Sequence, residues 1–302
     1  MRKTGKLKGS ILALLATISF SNVYIFSKLA MEDISLVSFG ILWFGLALLY
    51  NYLYYVFFTE RKKLSSLPKK SKSVLLLIGC SEVISIFAFF LSIQLTENPA
   101  IVSFLANTSP IFVILISFFF LGSRYRPLAL IGMLITFLGV GLINFNNGGF
   151  DWQSLTSKAS ISAIIFAIFY GVSLVLARSE IRNIPAAMIT VSRNLFLFIG
   201  FILYAIFLME MPYYTTKSIM YVGLGSFFGP FMGIVLTFAS LKYVDASITT
   251  LIGTLRSVFI IGGAYLFMNI LPNSNQLIGG TLTILGILII TFNDIKTMRN
   301  TH

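Results

Sequence analysis

The segment Ala129-Leu-Ile-Gly-Met-Leu-Ile-Thr-Phe-Leu-Gly-Val-Gly-Leu-Ile-Asn-Phe145 returns half a chain later as Gln276-Leu-Ile-Gly-Gly-Thr-Leu-Thr-Ile-Leu-Gly-Ile-Leu-Ile-Ile-Thr-Phe292. At a shift of 147 residues, Leu130-Ile131-Gly132 falls on Leu277-Ile278-Gly279, Thr136 on Thr283, Leu138-Gly139 on Leu285-Gly286 and Phe145 on Phe292. Looser matches lie upstream. A shift of 148 places Ser92 on Ser240, Glu97 on Asp245 and Glu82 on Pro230, and a shift of 150 places Phe20-Ser21 on Tyr170-Gly171 and Trp43 on Arg193. The chain therefore reads as a duplication, with one repeat in residues 1–150 and its copy in residues 151–302.

Both copies are unusually apolar. Of 302 residues 57% are hydrophobic and 11% charged, and the mean hydropathy is +0.92, whereas soluble domains are about one quarter charged. The apolar blocks are roughly 20 residues long, the length of helix that crosses about 30 Å of hydrocarbon. An all-α integral membrane protein follows. Breaks at charge clusters and at Pro, Asn and Gly turns divide it into spans near 9–30, 35–58, 73–96, 98–121, 127–145, 157–178, 185–208, 217–241, 245–268 and 274–293. The basic start and apolar run at 1–20 imitate a signal peptide, but the run continues to Ala30 without an A-x-A site and reads better as the first span.

Lys and Arg set the expected orientation, because cytoplasmic loops retain them. Under this division 17 of the 22 lie on one side, Lys28, Lys158 and Lys217 on the other, and Arg193 and Arg256 within spans. Both termini are expected in the cytoplasm, in a multi-pass protein of the plasma membrane. The net charge of +12 is thus topological, and Lys62, Lys63, Lys69, Lys70 and Lys72 suit anionic lipid headgroups rather than nucleic acid. Five spans per repeat is an odd number, so the second copy must enter from the opposite face. The expected fold is ten transmembrane helices as two five-helix repeats of inverted topology, an arrangement in which substrate binds between the halves near the midplane.

The segment LTENPAIVSFLANTSPIFVILISFFFLGSRYRPLALIGMLITFLGVGLI resembles the fourth and fifth helices of an EamA-type repeat of the drug/metabolite transporter superfamily, with Pro110, Leu121-Gly122, Pro127, Gly132 and Gly139 in place. LKYVDASITTLIGTLRSVFIIGGAYLF supplies the second copy. Two positions depart from the pattern: Ser123 stands where the family commonly has Glu, and Val258 stands opposite Pro110. The resemblance implies a ten-helix secondary transporter of small metabolites, typically an exporter, with a cavity between the halves.

Three charges lie inside spans: Glu82, Arg193 and Arg256. Each would cost about 2.5 to 3.5 kcal/mol at mid-bilayer if left facing lipid, roughly 9 kcal/mol together. Arg256 follows Asp245 by eleven residues, roughly 16 Å along a helix, and Glu82 and Arg193 lie roughly 14 Å from a helix end by the same rise. All three fall in one slab and must face protein or water. Glu82 can pair with either arginine, which leaves one positive charge that an anionic substrate group would balance. The substrate-binding candidates are Arg256, Arg193, Asn107, Asn22, Tyr170 and Thr249, with Glu82 as the ion-coupling carboxylate. Thr249, Gly253 and Arg256 share one helical stripe, and Ser103 and Asn107 share a face before Pro110, whose missing N–H frees a carbonyl one turn back. Gly225, Gly229 and Gly233 recur every four residues around Pro230, a pattern that serves close packing or a helix break.

The expected activity is alternating-access transport, outward, of a small metabolite bearing a carboxylate such as an amino acid, with proton coupling. An integral membrane enzyme acting on lipids would need an acid/base pair or nucleophile, and the chain has one Cys and one His, at position 302. No enzyme activity, metal or cofactor is expected, and no Walker motif is present for ATP. A non-transporting interaction protein is the other alternative. Small metabolites and membrane lipids are the expected partners, and a homodimer is one assembly open to such helices.

Overall fold

A computed structural model describes residues 3–58, 64–95, 108–122, 127–144, 157–256, 258–259 and 274–297. Among these the chain is helical throughout: α1 (Lys3–Met31), α2 (Leu36–Phe58), α3 (Lys69–Gln94), α4 (Ser109–Leu121), α5 (Pro127–Asn144), α6 (Lys158–Glu180), α7 (Ala186–Leu208), α8 (Thr216–Ser240), α9 (Ala246–Gly253) and α10 (Ser274–Thr297). Five of these helices, from Leu36, Lys69, Lys158, Ala186 and Thr216, are long and apolar enough to cross a membrane, and Ser109–Leu121, Leu130–Leu142 and Leu277–Ile289 are shorter apolar helices. The first part of the expected fourth span and the end of the ninth lie outside the described residues. Pro110 sits in the first turn of α4, after the N-cap Thr108, where a missing N–H is tolerated.

Local chemistry sets several helix ends. Ser157 accepts from the Ser160 amide at the start of α6, and Thr215 and Ser218 form a reciprocal capping box before α8. Gly122 ends α4 with a φ of 62°, the left-handed conformation in which a Cβ is disfavoured.

Helix contacts repeat when the halves are exchanged. α1 packs on α8 as α6 packs on α3; α4 meets α6 as α9 meets α1; α3 meets α7 as α8 meets α2. The contacts of α2 on α7, α5 on α10 and α4 on α9 map onto themselves, whereas that of α7 on α8 has no equal between α2 and α3 among the described residues. The α5–α10 contact is built from the segment repeated in the sequence. A Cβ at Gly139 would lie 2.5 Å from the Thr283 amide nitrogen and 2.6 Å from the Gly279 carbonyl, and one at Gly286 would lie 2.6 Å from the Thr136 amide nitrogen and 2.6 Å from the Gly132 carbonyl. The later residue of each helix thus meets the earlier residues of its partner, so the two helices run antiparallel through one self-complementary contact. Thr136 and Thr283 are buried beside it and donate to the carbonyls of Gly132 and Gly279 at 2.9 and 2.8 Å.

Charges gather at the two ends of the helices. At one end Lys70 pairs with Glu180 at 3.3 Å, Arg178 with Asp245 at 2.9 Å, and the Lys8 ammonium lies 5.2 Å from the centre of the Tyr243 ring. At the other Lys217 approaches Asp33 at 3.8 Å, and the Ser35 hydroxyl bonds the Glu210 carboxylate. These groups divide as the basic residues of the sequence do.

Candidate functional site

Glu82, on α3, is fully buried, and its two carboxylate oxygens have separate partners. Ser173 of α6 donates to Oε1 at 2.6 Å, and Arg193 of α7 donates from Nε to Oε2 at 2.8 Å. The guanidinium continues through Nη1 to Asn194 Oδ1 at 2.9 Å, and Asn194 Nδ2 donates to the Pro230 carbonyl of α8 at 3.0 Å. Asn51 of α2 donates to the same carbonyl at 3.1 Å. One connected polar path therefore crosses the interior through α6, α3, α7, α8 and α2. Ionised members bonded on several sides are the form in which charge persists away from water.

The path depends on an irregularity in α8. From Phe227 to Gly233 the helix widens into a π turn around Pro230, whose ring and missing N–H are incompatible with a regular helical turn. Carbonyls in this stretch become available to other helices: Pro230 receives Asn51 and Asn194, and Phe228 receives the Ser19 hydroxyl at 2.6 Å. The glycines at every fourth position serve close approach here. A Cβ at Gly225 would collide with Trp43, one at Gly229 with Val23, and one at Gly233 would lie 3.1 Å from Phe20. The Gly-Pro pattern thus both packs and distorts.

The two halves carry unlike chemistry at matched positions. Ser173, Glu82 and Arg193 come together on α6, α3 and α7, while their counterparts by the shifts of 148 to 150, Val23, Pro230 and Trp43, belong to α1, α8 and α2. There Val23 and Trp43 close on Gly229. An ion pair in one half is thus answered by an apolar contact in the other.

Between the halves lies a cavity with about 1090 Å³ of empty space, its open mouth included. Trp43, Phe44, Phe89, Phe90, Phe166 and Tyr170 supply aromatic wall, and Thr17, Thr237, Thr249, Thr250 and Thr254 supply polar wall. Arg193 and Arg256 both reach it. Arg193 arrives already neutralised by Glu82. Arg256 has no carboxylate within salt-bridge distance among the described residues, its buried Nε has no hydrogen-bond partner there, and its guanidinium carbon lies 4.8 Å from the centre of the Phe20 ring. An aromatic face attracts a cation but gives the buried Nε no acceptor. Tyr170 lines the same cavity as Arg256 and Arg193.

Of the residues selected from sequence, Arg256, Arg193, Tyr170 and Thr249 line this cavity. Glu82 stands behind Arg193, which answers which arginine it meets. Asn22 does not line the cavity and donates to the Ile18 carbonyl one turn back at 3.1 Å. Asn107 and Ser103 lie outside the described residues. Sequence reasoning passed over Asn51, Asn194 and Ser173. Polar residues within spans 2, 6 and 7 were a signal, but Ser and Asn commonly bond their own helix backbone, and nothing local marks those that reach across.

The sequence matches the EamA-like transporter family twice, over residues 7–145 and 157–292. No curated protein matches it significantly. Among solved structures, one titled only as the crystal structure of a protein is similar at a TM-score of 0.78 and 18% identity, with 98% of this chain and 99% of that one aligned. At that identity the likeness concerns the fold. The chain is a helical, multi-pass membrane protein with two such domains.

Proposed function

Because the chain belongs to the EamA-like transporter family, we propose that it is a secondary transporter that carries a small molecule with an anionic group, a carboxylate above all, through the cavity between its halves. The observation that carries this reading is Arg256, a cation on the cavity wall with a buried, unpartnered Nε and an aromatic ring where a counter-ion would ordinarily stand. Leaving buried donors unmade is costly, and a substrate carboxylate bonded to the guanidinium fork would relieve that cost.

Ten membrane-spanning helices in two inverted repeats are the matching architecture. The exchange of helix contacts between halves and the antiparallel meeting of the repeated segments in α5 and α10 support it. Rocking of one repeat against the other would open the cavity to each side in turn. The polar path through Pro230 and the Glu82–Arg193 pair would hold the halves in register. Because Arg193 reaches the cavity, an arriving anion can compete with Glu82 for it, and a released Glu82 can take a proton, which couples transport to the proton gradient. Outward transport across the plasma membrane, with both termini cytoplasmic, follows from the family resemblance and the distribution of Lys and Arg.

The test is uptake and counterflow in proteoliposomes over panels of carboxylates, amino acids and matched uncharged analogues. Arg256→Ala should lower transport of the active anion by about 10- to 100-fold, the loss expected for charge-assisted hydrogen bonds. Arg256→Lys should recover part of it. Unchanged transport by Arg256→Ala would overturn the assignment.

A further inference from the structure

The cavity threonines all present the same polarity. Thr17 donates to the Ala13 carbonyl at 2.7 Å, Thr237 to Gly233 at 2.8 Å, Thr250 to Ser247 at 2.9 Å and Ala246 at 3.0 Å, and Thr254 to Leu251 at 2.7 Å. Thr249 lies 3.3 Å from the Asp245 carbonyl and 3.0 Å from the Ser240 hydroxyl, whose own hydrogen goes to the Thr237 carbonyl at 2.7 Å, so Thr249 is the donor there too. A hydroxyl has one hydrogen and two lone pairs. With the hydrogen committed to the helix backbone, what each threonine can turn to a bound molecule is an acceptor. Among the described lining residues the donors include the two arginines and the hydroxyls of Tyr170 and Ser109, and of the charged ones only Arg256 is free of a carboxylate among the described residues.

Charge narrows the class further. The chain has 10 acidic residues, and all except Glu82 fall at the ends of spans or between them. Before a substrate enters, Glu82 is paired with Arg193, so the cavity it meets carries one net positive charge. A zwitterion leaves that charge in place and sets an ammonium near a guanidinium. A monoanion cancels it. The threonine oxygens then call for a neutral donor, a hydroxyl or amide N–H, and the phenyl and indole walls for an apolar body of ring size.

We infer that the substrate is a net monoanion, its carboxylate on Arg256, with a neutral hydroxyl or N–H donor facing the threonine oxygens and an aromatic-sized apolar body. This rests on the proposed transport reading and sharpens it, because it separates hydroxy acids and N-acyl amino acids from free amino acids.

Titration calorimetry on the purified full chain in lipid nanodiscs, with four probes of one carbon skeleton, tests it. Phenyllactate should bind about tenfold tighter than 3-phenylpropanoate, the gain of one hydrogen bond in a partly dry site, and tighter still than phenylalanine. The uncharged 3-phenyl-1,2-propanediol should not bind. Thr250→Val, which keeps shape and removes the hydroxyl, should narrow the gap between phenyllactate and 3-phenylpropanoate. Phenylalanine binding as tightly as phenyllactate would overturn the monoanion class while leaving Arg256 as a carboxylate site. Equal affinity for 3-phenylpropanoate and phenyllactate would overturn the acceptor wall, and binding of the diol would overturn the anionic reading itself. Failure of all four probes would overturn the class proposed here.

Discussion

Arg193 donates from Nε to Oε2 of Glu82 at 2.8 Å, with 4% of the arginine side chain and 1% of the carboxylate side chain exposed. At such burial the loss of one partner strands the other. Glu82→Ala should cost about 3 to 5 kcal/mol, whereas an apolar replacement of both, Glu82→Leu with Arg193→Met, should restore much of that stability. Thermal unfolding of the purified protein reads both. A double variant no more stable than Glu82→Ala would mean that the pair's charge is not what the interior tolerates poorly when broken.

The same carboxylate serves the coupling reading. Glu82→Gln keeps acceptor capacity for Ser173 and removes the titratable group. Transport should then lose its dependence on an imposed pH gradient while counterflow exchange persists. Proteoliposomes measured with and without the gradient decide it, and undiminished coupling in Glu82→Gln would exclude Glu82 as the proton carrier.

Gly139 and Gly286 should respond alike, because they occupy equivalent places in one self-complementary contact. An added Cβ would sit 2.6 Å or less from partner backbone at either site, so the helices must part. Gly139→Ala and Gly286→Ala should each destabilise by about 1 to 3 kcal/mol, the usual cost of overpacking. A Cβ at Gly223 would meet nothing within 4 Å, and Gly223→Ala in mid-helix should be neutral or stabilising by about 0.4 to 1 kcal/mol. Melting temperatures of the three variants provide the comparison.

The proposed orientation, with both termini cytoplasmic, has a direct test. With Cys80 replaced by Ser, a cysteine introduced as Lys217→Cys should react with an impermeant maleimide added outside intact cells, and one introduced as Lys242→Cys should react only after the membrane is opened. The reverse pattern would place the termini outside.

Much of this protein was legible in the chain alone, for definite reasons. Apolar blocks of membrane length, and the recurrence of Leu-Ile-Gly and Leu-Gly in the segments at 129 and 276, do not depend on what packs against what. The same recurrence predicted paired halves, and α5 and α10 meet through those residues. The depth of Glu82 and Arg193 along α3 and α7 is likewise set by a fixed rise per residue, so their common slab could be counted off the chain, whereas Arg256 lies three residues past the end of α9 at Gly253.

Partner choice could not be counted, because rise fixes height but not azimuth, and Glu82 at that height could face either arginine. Only the packing of α3 on α6 and α7 turned it to Ser173 and Arg193, which left Arg256 over Phe20. Asn51 and Asn194 gained their roles in the same way: the π turn at Pro230 exposes one carbonyl, and helices far apart in sequence bring two amides to it. The sequence by itself determined a duplicated helical membrane protein with three interior charges, since length, hydropathy and repetition are properties of the chain. Which arginine was left without a carboxylate among the described residues was decided only by the tertiary structure, since pairing depends on rotations and close approaches between helices that no single helix specifies.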